Sequence, residues 1–229
     1  ALTPLIKTIA SLLQENRPLI MGVLNVTPDS FSDGGEFLSL VDAVEHAKYL
    51  QECGADIIDI GGESTRPGAK PISSSEELQR VMPVIERLRN VSDVPISVDT
   101  SKASVMEKAI ECGATLINDV YSLRKPGTLD VVAGSDVHVC LMHMKGNPQN
   151  MQNRPIYKDL LCEVREFLRD RVLDCEKKGI STNRLIIDIG FGFGKTPLGN
   201  LKLINNLDFF KEMGLPIMVG ASRKSTIRK

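Results

Sequence analysis

An α/β fold of the (β/α)8 type, the TIM barrel, is predicted for this 229-residue chain by three features of its sequence. First, one unit recurs: an amphipathic helix, a glycine at its end and a short apolar strand, as where Gly54 precedes 56–59 and Gly113 precedes 115–118. Second, the strands are continuous Ile, Val and Leu runs, which is typical of a parallel sheet buried on both faces. Third, polar residues follow every strand, whereas an open doubly wound sheet uses only the strands around one switch point.

The individual elements follow from the hydrophobic pattern. Strands are expected at 19–24, 56–59, 95–98, 115–118, 137–142, 185–188 and 216–220. Helices are expected at 40–50 and 159–178, and Ser74 followed by Glu77 suggests a capping box at the start of another helix. No linker divides the chain, so residues 1–229 are expected to form a single domain. A barrel needs eight strands, and we therefore expect the native protein to extend some tens of residues past Lys229, adding a helix and a strand.

The composition is that of an ordinary globular protein, with 42% apolar residues, 25% charged residues and a net charge of −1. The near-zero net charge gives no indication of nucleic acid or an acidic membrane surface as a partner, because both require clustered Lys and Arg. Apolar stretches near the start are too short to span a membrane and the N-terminus lacks the pattern of a signal peptide, so a cytoplasmic protein is predicted. The five cysteines have no Cys-x-x-Cys spacing and are expected to be reduced core residues.

The glycine-rich segment 190–196, GFGFGKT, resembles a phosphate-binding loop but has the wrong spacing. A Walker A loop has four residues between its first glycine and the Gly-Lys-Thr, and here there are three. A dinucleotide fingerprint would need two residues before its final glycine, and here there is one. An NTPase and a Rossmann dehydrogenase are therefore disfavoured, and the segment is either a flexible connection or a ligand loop of another kind.

Two polar loops, 25–35 and 61–68, follow the first two strands and indicate an anionic ligand. The first is longer than a plain turn, and its hydroxyls, carboxylates and glycine pair are suited to a lid over a polar ligand. The second holds Arg66 between hydroxyls and Pro67, an arrangement suited to phosphate or carboxylate. The simpler interpretations are a turn that starts a helix and a surface ion pair.

Four polar residues at strand ends, Asp99, Asn118, Asp188 and Lys224, would face one opening of the barrel. A buried carboxylate is costly unless it is paired or bound to a ligand, which allows two interpretations. One is a structural network, such as an ion pair of Asp188 with Lys224. The other, which we favour, is a hydrogen-bonding pocket for a flat polar heterocycle.

Three neighbouring side chains complete this hypothesis. Met142 and Phe193 either contact the faces of the heterocycle or belong to the core. His143 is the only histidine at a strand end, and it is expected to support the site rather than to act in catalysis.

At these residues the sequence resembles the dihydropteroate synthase family, the folate-pathway enzymes targeted by sulfonamides. The motifs that carry the resemblance lie in order at 21–35, 61–67, 97–100, 117–119, 141–144, 190–195 and 220–224. The resemblance implies a (β/α)8 barrel that joins 6-hydroxymethyl-7,8-dihydropterin pyrophosphate to p-aminobenzoate, releasing pyrophosphate and 7,8-dihydropteroate. Two features depart from the family. Ile189 follows Asp188 where the family usually has proline, which we expect to alter loop stiffness rather than chemistry, and the Arg-x-His motif of the family's eighth strand has no counterpart in these residues.

The resemblance also implies roles for individual residues. The expected pterin-binding residues are Asp99, Asn118, Asp188, Lys224, Met142 and Phe193. The expected pyrophosphate-binding residues are Thr65 and Arg66, those for p-aminobenzoate are Phe31, Pro67 and Ser222, and Asn25 is expected to hold Mg²⁺. Catalytic roles are implied for Asp99, Lys224 and Asp33. The resemblance further implies sulfonamides as inhibitors and a two-fold homodimer.

Two other functions are compatible with the same residues. A pterin-binding methyltransferase barrel would share the pocket but would not need the loops 25–35 and 64–67 for pyrophosphate. A non-catalytic pterin-binding module would bind pterin without turnover. Magnesium-dependent release of pyrophosphate distinguishes the synthase from both.

Overall fold

The computed structural model describes residues 7–27, 36–64, 69–146, 151, 156–222 and 224. Its centre is a seven-stranded sheet in which the strands are parallel and adjacent in chain order. The strands are β1 Met21–Asn25, β2 Ile57–Gly61, β3 Ile96–Asp99, β4 Leu116–Asp119, β5 His138–Met142, β6 Leu185–Asp188 and β7 Ile217–Met218. This order is that of a (β/α)8 barrel, since a doubly wound sheet reverses its order at a switch point. The predicted fold class and the seven predicted strands are thus confirmed within these ranges.

Helices occupy the connections between successive strands, and one short helix precedes β1. They are α1 Ile9–Leu12, α2 Glu36–Glu52, α3 Ser74–Arg89, α4 Ala103–Glu111, α5 Thr128–Ala133, α6 Leu160–Lys177, α7 Pro197–Asn205 and α8 Leu207–Lys211. The helices predicted at 40–50 and 159–178 correspond to α2 and α6. In the part of the chain that the structure describes, no helix is long and apolar enough to cross a membrane.

The start of α3 differs from the sequence prediction. Ser73 caps this helix, and its hydroxyl accepts a hydrogen bond from the backbone N–H of Glu76. The predicted capping box of Ser74 and Glu77 is therefore wrong. Glu77 is fully buried and its carboxylate binds the ammonium group of Lys102 instead, so it does not reach back to the first turn of the helix.

Alternation along the strands places the core on both sides of the sheet. Val98 and Ile117 belong to the main apolar cluster, together with side chains of α2, α3 and α4. The side chains of Leu116 and Ile186 face the other side of the sheet, where they pack with the two buried residues of α1 near the amino ends of the strands. The barrel interior is therefore apolar at the amino ends of the strands, and the residues of the same parity further along can form a polar site.

Two expectations about burial were wrong. Strand β1 is not buried on both faces, since Val23 is 56% exposed; β1 lies at an edge of the described sheet and has a neighbouring strand on one side only. All five cysteines are free, but only Cys140 and Cys175 are buried. Cys53 is exposed and lies directly after the last residue of α2.

Candidate active site

Three of the predicted polar residues lie side by side at the carboxyl ends of β1, β3 and β4. The strand register pairs Asn25 with Gly61, Gly61 with Asp99, and Asp99 with Asn118. A Cβ atom built on Gly61 would lie 3.8 Å from both the Asn25 Oδ1 atom and the Asp99 Oδ2 atom. The glycine therefore leaves open space between an amide oxygen and a carboxylate oxygen that face the same point.

A carboxylate that the sequence analysis did not assign to the site lies beneath this group. Asp59 of β2 is 5% exposed, and its Oδ2 atom accepts a hydrogen bond of 3.1 Å from the amide nitrogen of Asn118. This bond fixes the amide orientation and leaves the oxygen of Asn118 as the acceptor at the other end. The only signal in the sequence is an acidic residue within an otherwise apolar strand, which a structural network would explain equally well.

The carboxylates raise one another's pKa values. Burial raises the pKa of Asp99 well above its usual range, and the charges of Asp59, Asp119 and Glu77 add to the effect. Burial also raises the pKa of Asp59, although the hydrogen bond from Asn118 opposes it. Asp99 therefore binds a proton much more readily than an exposed aspartate does, and it can act as a hydrogen-bond donor to a ligand.

A second group contains Asp188 at the end of β6, Phe193 in the loop after β6, and Lys224, which follows β7. The Asp188 Oδ1 atom accepts a 2.7 Å hydrogen bond from the backbone N–H of Gly190. The ammonium group of Lys224 binds the carbonyl oxygen of Phe191 and lies 4.3 Å from the centre of the Phe193 ring. Asp188 and Lys224 attract each other, as the network hypothesis expects, but no direct ion pair joins them in the described chain.

Burial shifts the pKa values of both charged groups in this second group, and Lys224 packs closely against the loop. Burial lowers the pKa of Lys224 to about 8, and the charge of Asp188 opposes the shift. Burial raises the pKa of Asp188 and outweighs the hydrogen bond from Gly190 and the charges of Lys224 and Lys195, which lower it. Gly192 has a φ of +81°, and a Cβ atom on it would lie 2.6 Å from the Cδ atom of Lys224. Only glycine allows the lysine to pass over the loop at this point.

Apolar side chains lie next to Asp188. Met142 is paired with Asp188 in the register of β5 and β6 and is 4% exposed. Met142 and Phe193 belong to one apolar cluster with Val120 and Met144. The structure therefore brings both predicted ring contacts, a carboxylate and an ammonium group into one neighbourhood.

The remaining predicted residues have mixed outcomes. Ser222 is exposed just beyond β7. Five predicted residues lie outside the described residues: Phe31, Asp33, Thr65, Arg66 and Pro67.

A buried ionic network that the sequence analysis missed lies beside the second polar loop. Lys102, before α4, binds the carboxylates of Glu63, at 2.6 Å, and of Glu77. The other oxygen of Glu63 accepts a 3.0 Å hydrogen bond from the backbone N–H of Ile72. Burial lowers the pKa of Lys102, but its two carboxylate partners reverse the shift and raise it overall. The network joins the two described ends of the loop that contains 65–68.

A cavity of about 110 Å³ opens next to Asp99 and is lined by residues that follow β2, β3 and β4. Lys125 and Ser101 contribute to its wall, and the ammonium group of Lys125 donates a 2.7 Å hydrogen bond to the Ser101 hydroxyl. The same ammonium group lies 4.3 Å from the centre of the Tyr121 ring. Polar groups thus extend from Asp99 toward the loops expected to hold anions.

The loop of 190–195 does not bind an anion through its lysine. Lys195 is 3% exposed, and its ammonium group donates to the carbonyl oxygens of Gly190, at 2.7 Å, and Phe193, at 2.9 Å. Gly190 has a φ of +68°, and a Cβ atom on it would lie 1.8 Å from the carbonyl oxygen of His143. The loop is therefore folded tightly around its own lysine rather than left as a flexible connection.

Comparisons with known proteins agree with this geometry. A family model described as a pterin binding enzyme matches residues 21–229. The chain is 50% identical over 215 residues to a dihydropteroate synthase of Escherichia coli, covering 94% of this chain and 76% of the relative. A Yersinia pestis dihydropteroate synthase solved with a sulfonamide drug superposes with a TM-score of 0.88 at 50% identity, covering 92% of this chain and 77% of the other. A Xanthomonas albilineans dihydropteroate synthase in complex with 7,8-dihydropteroate gives a TM-score of 0.83 at 47% identity, covering 92% and 75%.

Proposed function

The chain belongs to the pterin-binding enzyme family and, within it, to the dihydropteroate synthases, transferases of folate biosynthesis, and on this basis we propose how its residues act. The reaction joins 6-hydroxymethyl-7,8-dihydropterin pyrophosphate to p-aminobenzoate. The bond from the pterin methylene carbon to pyrophosphate oxygen breaks, and both electrons leave with pyrophosphate. The aniline nitrogen forms the new bond and then loses a proton. The observation that carries the proposal is the grouping of Asp188, Lys224 and Phe193 beside Met142.

Asp188 is the proposed principal partner of the pterin. The amino-pyrimidine edge of a pterin has two adjacent N–H donors, which a carboxylate accepts with both oxygens. The backbone N–H of Gly190 already binds Oδ1 from behind and holds the carboxylate in one orientation. Lys224 would donate to the carbonyl side of the pterin, and Phe193 would lie along the ring.

Asn118 and Asp99 would bind the remaining ring nitrogens. The Asn118 amide nitrogen is occupied by Asp59, so its oxygen would accept from a ring N–H. Asp99, with its raised pKa, can offer either a donor or an acceptor. The pterin ring can delocalise the positive charge left on the methylene carbon, so no protein nucleophile is needed.

Asn25 is the proposed protein ligand of Mg²⁺, a cation that prefers oxygen ligands and usually retains water and substrate phosphates. The residues present fit this ion, because the Asn25 Oδ1 and Asp99 Oδ2 atoms approach one open point above Gly61. Among the described residues, no cluster of three or more His, Cys, Asp or Glu could hold a metal unaided, so substrate oxygens would complete the shell. When bound, Mg²⁺ would supply positive charge for the departing pyrophosphate.

The loops would provide the second substrate site. Thr65 and Arg66 are proposed for pyrophosphate, and Phe31, Pro67 and Ser222 for p-aminobenzoate, with Asp33 assisting catalysis. The Glu63 to Lys102 ion pair supports this proposal because it anchors the chain two residues before Thr65. A loop that excludes water would protect the methylene cation from hydrolysis.

The decisive experiment is a turnover assay with the pterin pyrophosphate, p-aminobenzoate and Mg²⁺. We expect release of pyrophosphate and formation of 7,8-dihydropteroate in equal amounts, both requiring Mg²⁺. Arg184→Met is the control variant and is expected to keep this activity. Arg184 lies at the amino end of β6, away from the site, where it donates to the carbonyl oxygens of Val132 and Val137. Pterin binding without pyrophosphate release would support a binding module or a methyltransferase barrel and would contradict the proposal.

A homodimer and a cytoplasmic location complete the proposal. Leu198 and Leu201 of α7 are 79% and 48% exposed, and adjacent exposed leucines are suited to a subunit contact. All five cysteines are free, as is usual for proteins of a reducing compartment. Light scattering after size exclusion tests the dimer, and a Leu198→Glu variant is expected to be monomeric.

A further inference from the structure

We propose that Lys195 is a positioning residue for pterin recognition, whose buried ammonium group sets the path of the loop 190–194 behind Asp188. The inference rests on the function proposed above. Lys195 is 3% exposed, and its ammonium group faces the loop and His143.

The ammonium group closes the turn of this loop from the inside. Its hydrogen bonds to the carbonyl oxygens of Gly190 and Phe193 are 2.7 Å and 2.9 Å long. The Gly190 carbonyl also accepts the backbone N–H of Phe193, at 3.0 Å. The two ends of the turn are therefore joined twice, once through the backbone and once through Lys195.

The same group ties the loop to the strand ends. The Lys195 Nζ atom lies 3.0 Å from the His143 Nδ1 atom and 3.3 Å from the His143 carbonyl oxygen. Burial, together with the charge of Lys195, lowers the pKa of His143 to about 2, so its ring is neutral and Nδ1 can accept a hydrogen bond from the ammonium group. The backbone N–H of His143 donates in turn to the carbonyl of Asp188, at 3.0 Å. Lys195 thus connects the loop with His143, the residue directly after β5, and through it with the end of β6.

Every group that the loop presents to the site depends on this path. The N–H of Gly190 orients the Asp188 carboxylate, and the carbonyl of Phe191 receives the Lys224 ammonium group. The ring of Phe193 lies 4.3 Å from the same ammonium group. A shift of the turn would move all of these contacts together.

Packing alone does not account for a lysine here. No carboxylate lies within ion-pair distance of Lys195 in the described residues, and burial lowers its pKa to about 7. A buried ammonium group costs stability that an apolar side chain of similar length would not. Its three N–H donors instead serve acceptors on the loop and on His143, which is the arrangement of a residue that holds a functional loop in shape.

The test compares Lys195→Met with the matched control Arg184→Met. Both variants remove a cation that donates to backbone carbonyls next to β6, Lys195 at its carboxyl end and Arg184 at its amino end. Calorimetric titration with 6-hydroxymethylpterin is expected to show an affinity reduced about tenfold or more in Lys195→Met and unchanged in Arg184→Met. Amide hydrogen exchange at Gly190 and Phe193 is expected to accelerate only in Lys195→Met.

If Lys195→Met does not fold, Lys195→Gln retains an amide donor pair and is expected to give an intermediate affinity. Equal pterin affinity in the wild type and a folded Lys195 variant would overturn the inference. So would an equal loss in Arg184→Met, because the effect would then be general destabilisation. Failure of the wild type to bind 6-hydroxymethylpterin would instead contradict the proposed function.

Discussion

Replacing Asp188 by asparagine tests the centre of the proposed pterin site. The Asp188 carboxylate is 7% exposed, and its Oδ1 atom accepts the Gly190 N–H at 2.7 Å. In Asp188→Asn the amide oxygen can keep that bond, so the fold is expected to survive. The amide nitrogen then faces the ligand and offers a donor to the two N–H donors of the pterin.

The size of the effect follows from this mismatch. Removing one partner of a buried, charged hydrogen-bonded pair costs about 2–5 kcal/mol. A loss of about 3 kcal/mol corresponds to a Kd about 150-fold higher. Calorimetric titration with 6-hydroxymethylpterin measures this directly, and thermal unfolding establishes that the variant is folded.

Asp119→Asn is the matched control for this prediction. Asp119 is also a buried carboxylate at a strand end, but its oxygens accept hydrogen bonds from the backbone N–H groups of Tyr121 and Leu123. It follows Asn118 in β4 and therefore lies on the opposite face of the sheet. Asp119→Asn is expected to lower stability and to change pterin affinity far less than Asp188→Asn does, because Asp119 acts on the site only through its effect on the pKa of Asp99. An unchanged affinity in folded Asp188→Asn, or an equal loss in Asp119→Asn, would refute the assignment of Asp188 to the pocket.

Three further predictions concern substrate order, pH and the glycine loop. Sulfonamide binding, measured by calorimetry, is expected to be much tighter with pyrophosphate and Mg²⁺ present than without them, because the anion draws the two polar loops together; equal affinity under both conditions would contradict this. Burial lowers the pKa of Lys195 from 10.5 to about 7, so between these values the unfolded chain binds more protons and the free energy of unfolding rises with pH. Urea unfolding at several pH values should show a smaller rise in Lys195→Met, and an identical rise would show that Lys195 is not the titrating group. Gly179 has a φ of +84° and no atom within 4 Å of a Cβ atom built on it, so Gly179→Ala is expected to lower the free energy of unfolding by about 1 kcal/mol. In Gly190→Ala the new Cβ atom would lie 1.8 Å from the His143 carbonyl oxygen, so the loss is expected to be several times larger. Equal unfolding free energies for the two variants would show that the close contact is relieved without cost.

The fold and part of the site could be predicted because their signals are local in sequence. A parallel strand needs only a short apolar run, and in a barrel every strand delivers its last residues to the same end. Asp99, Asn118 and Asp188 could therefore be assigned to one opening without knowledge of any contact. The apolar neighbours of Asp188 could be named for the same reason, since Met142 also ends a strand.

Contacts between distant segments were decided only by the tertiary structure. The sequence of 190–196 left the direction of Lys195 open, and its partner His143 lies 52 residues away. Glu77 has the spacing of a capping residue, but Lys102, 25 residues further along, binds its carboxylate. The sequence shows Asp59 only as a polar residue in a strand, whereas in the structure the Asn118 amide nitrogen donates a 3.1 Å hydrogen bond to its carboxylate. Hydrophobic period and glycine position are set by each residue and its near neighbours, whereas the partner of a buried charge is set by which strand ends and loops meet, and no local pattern carries that information.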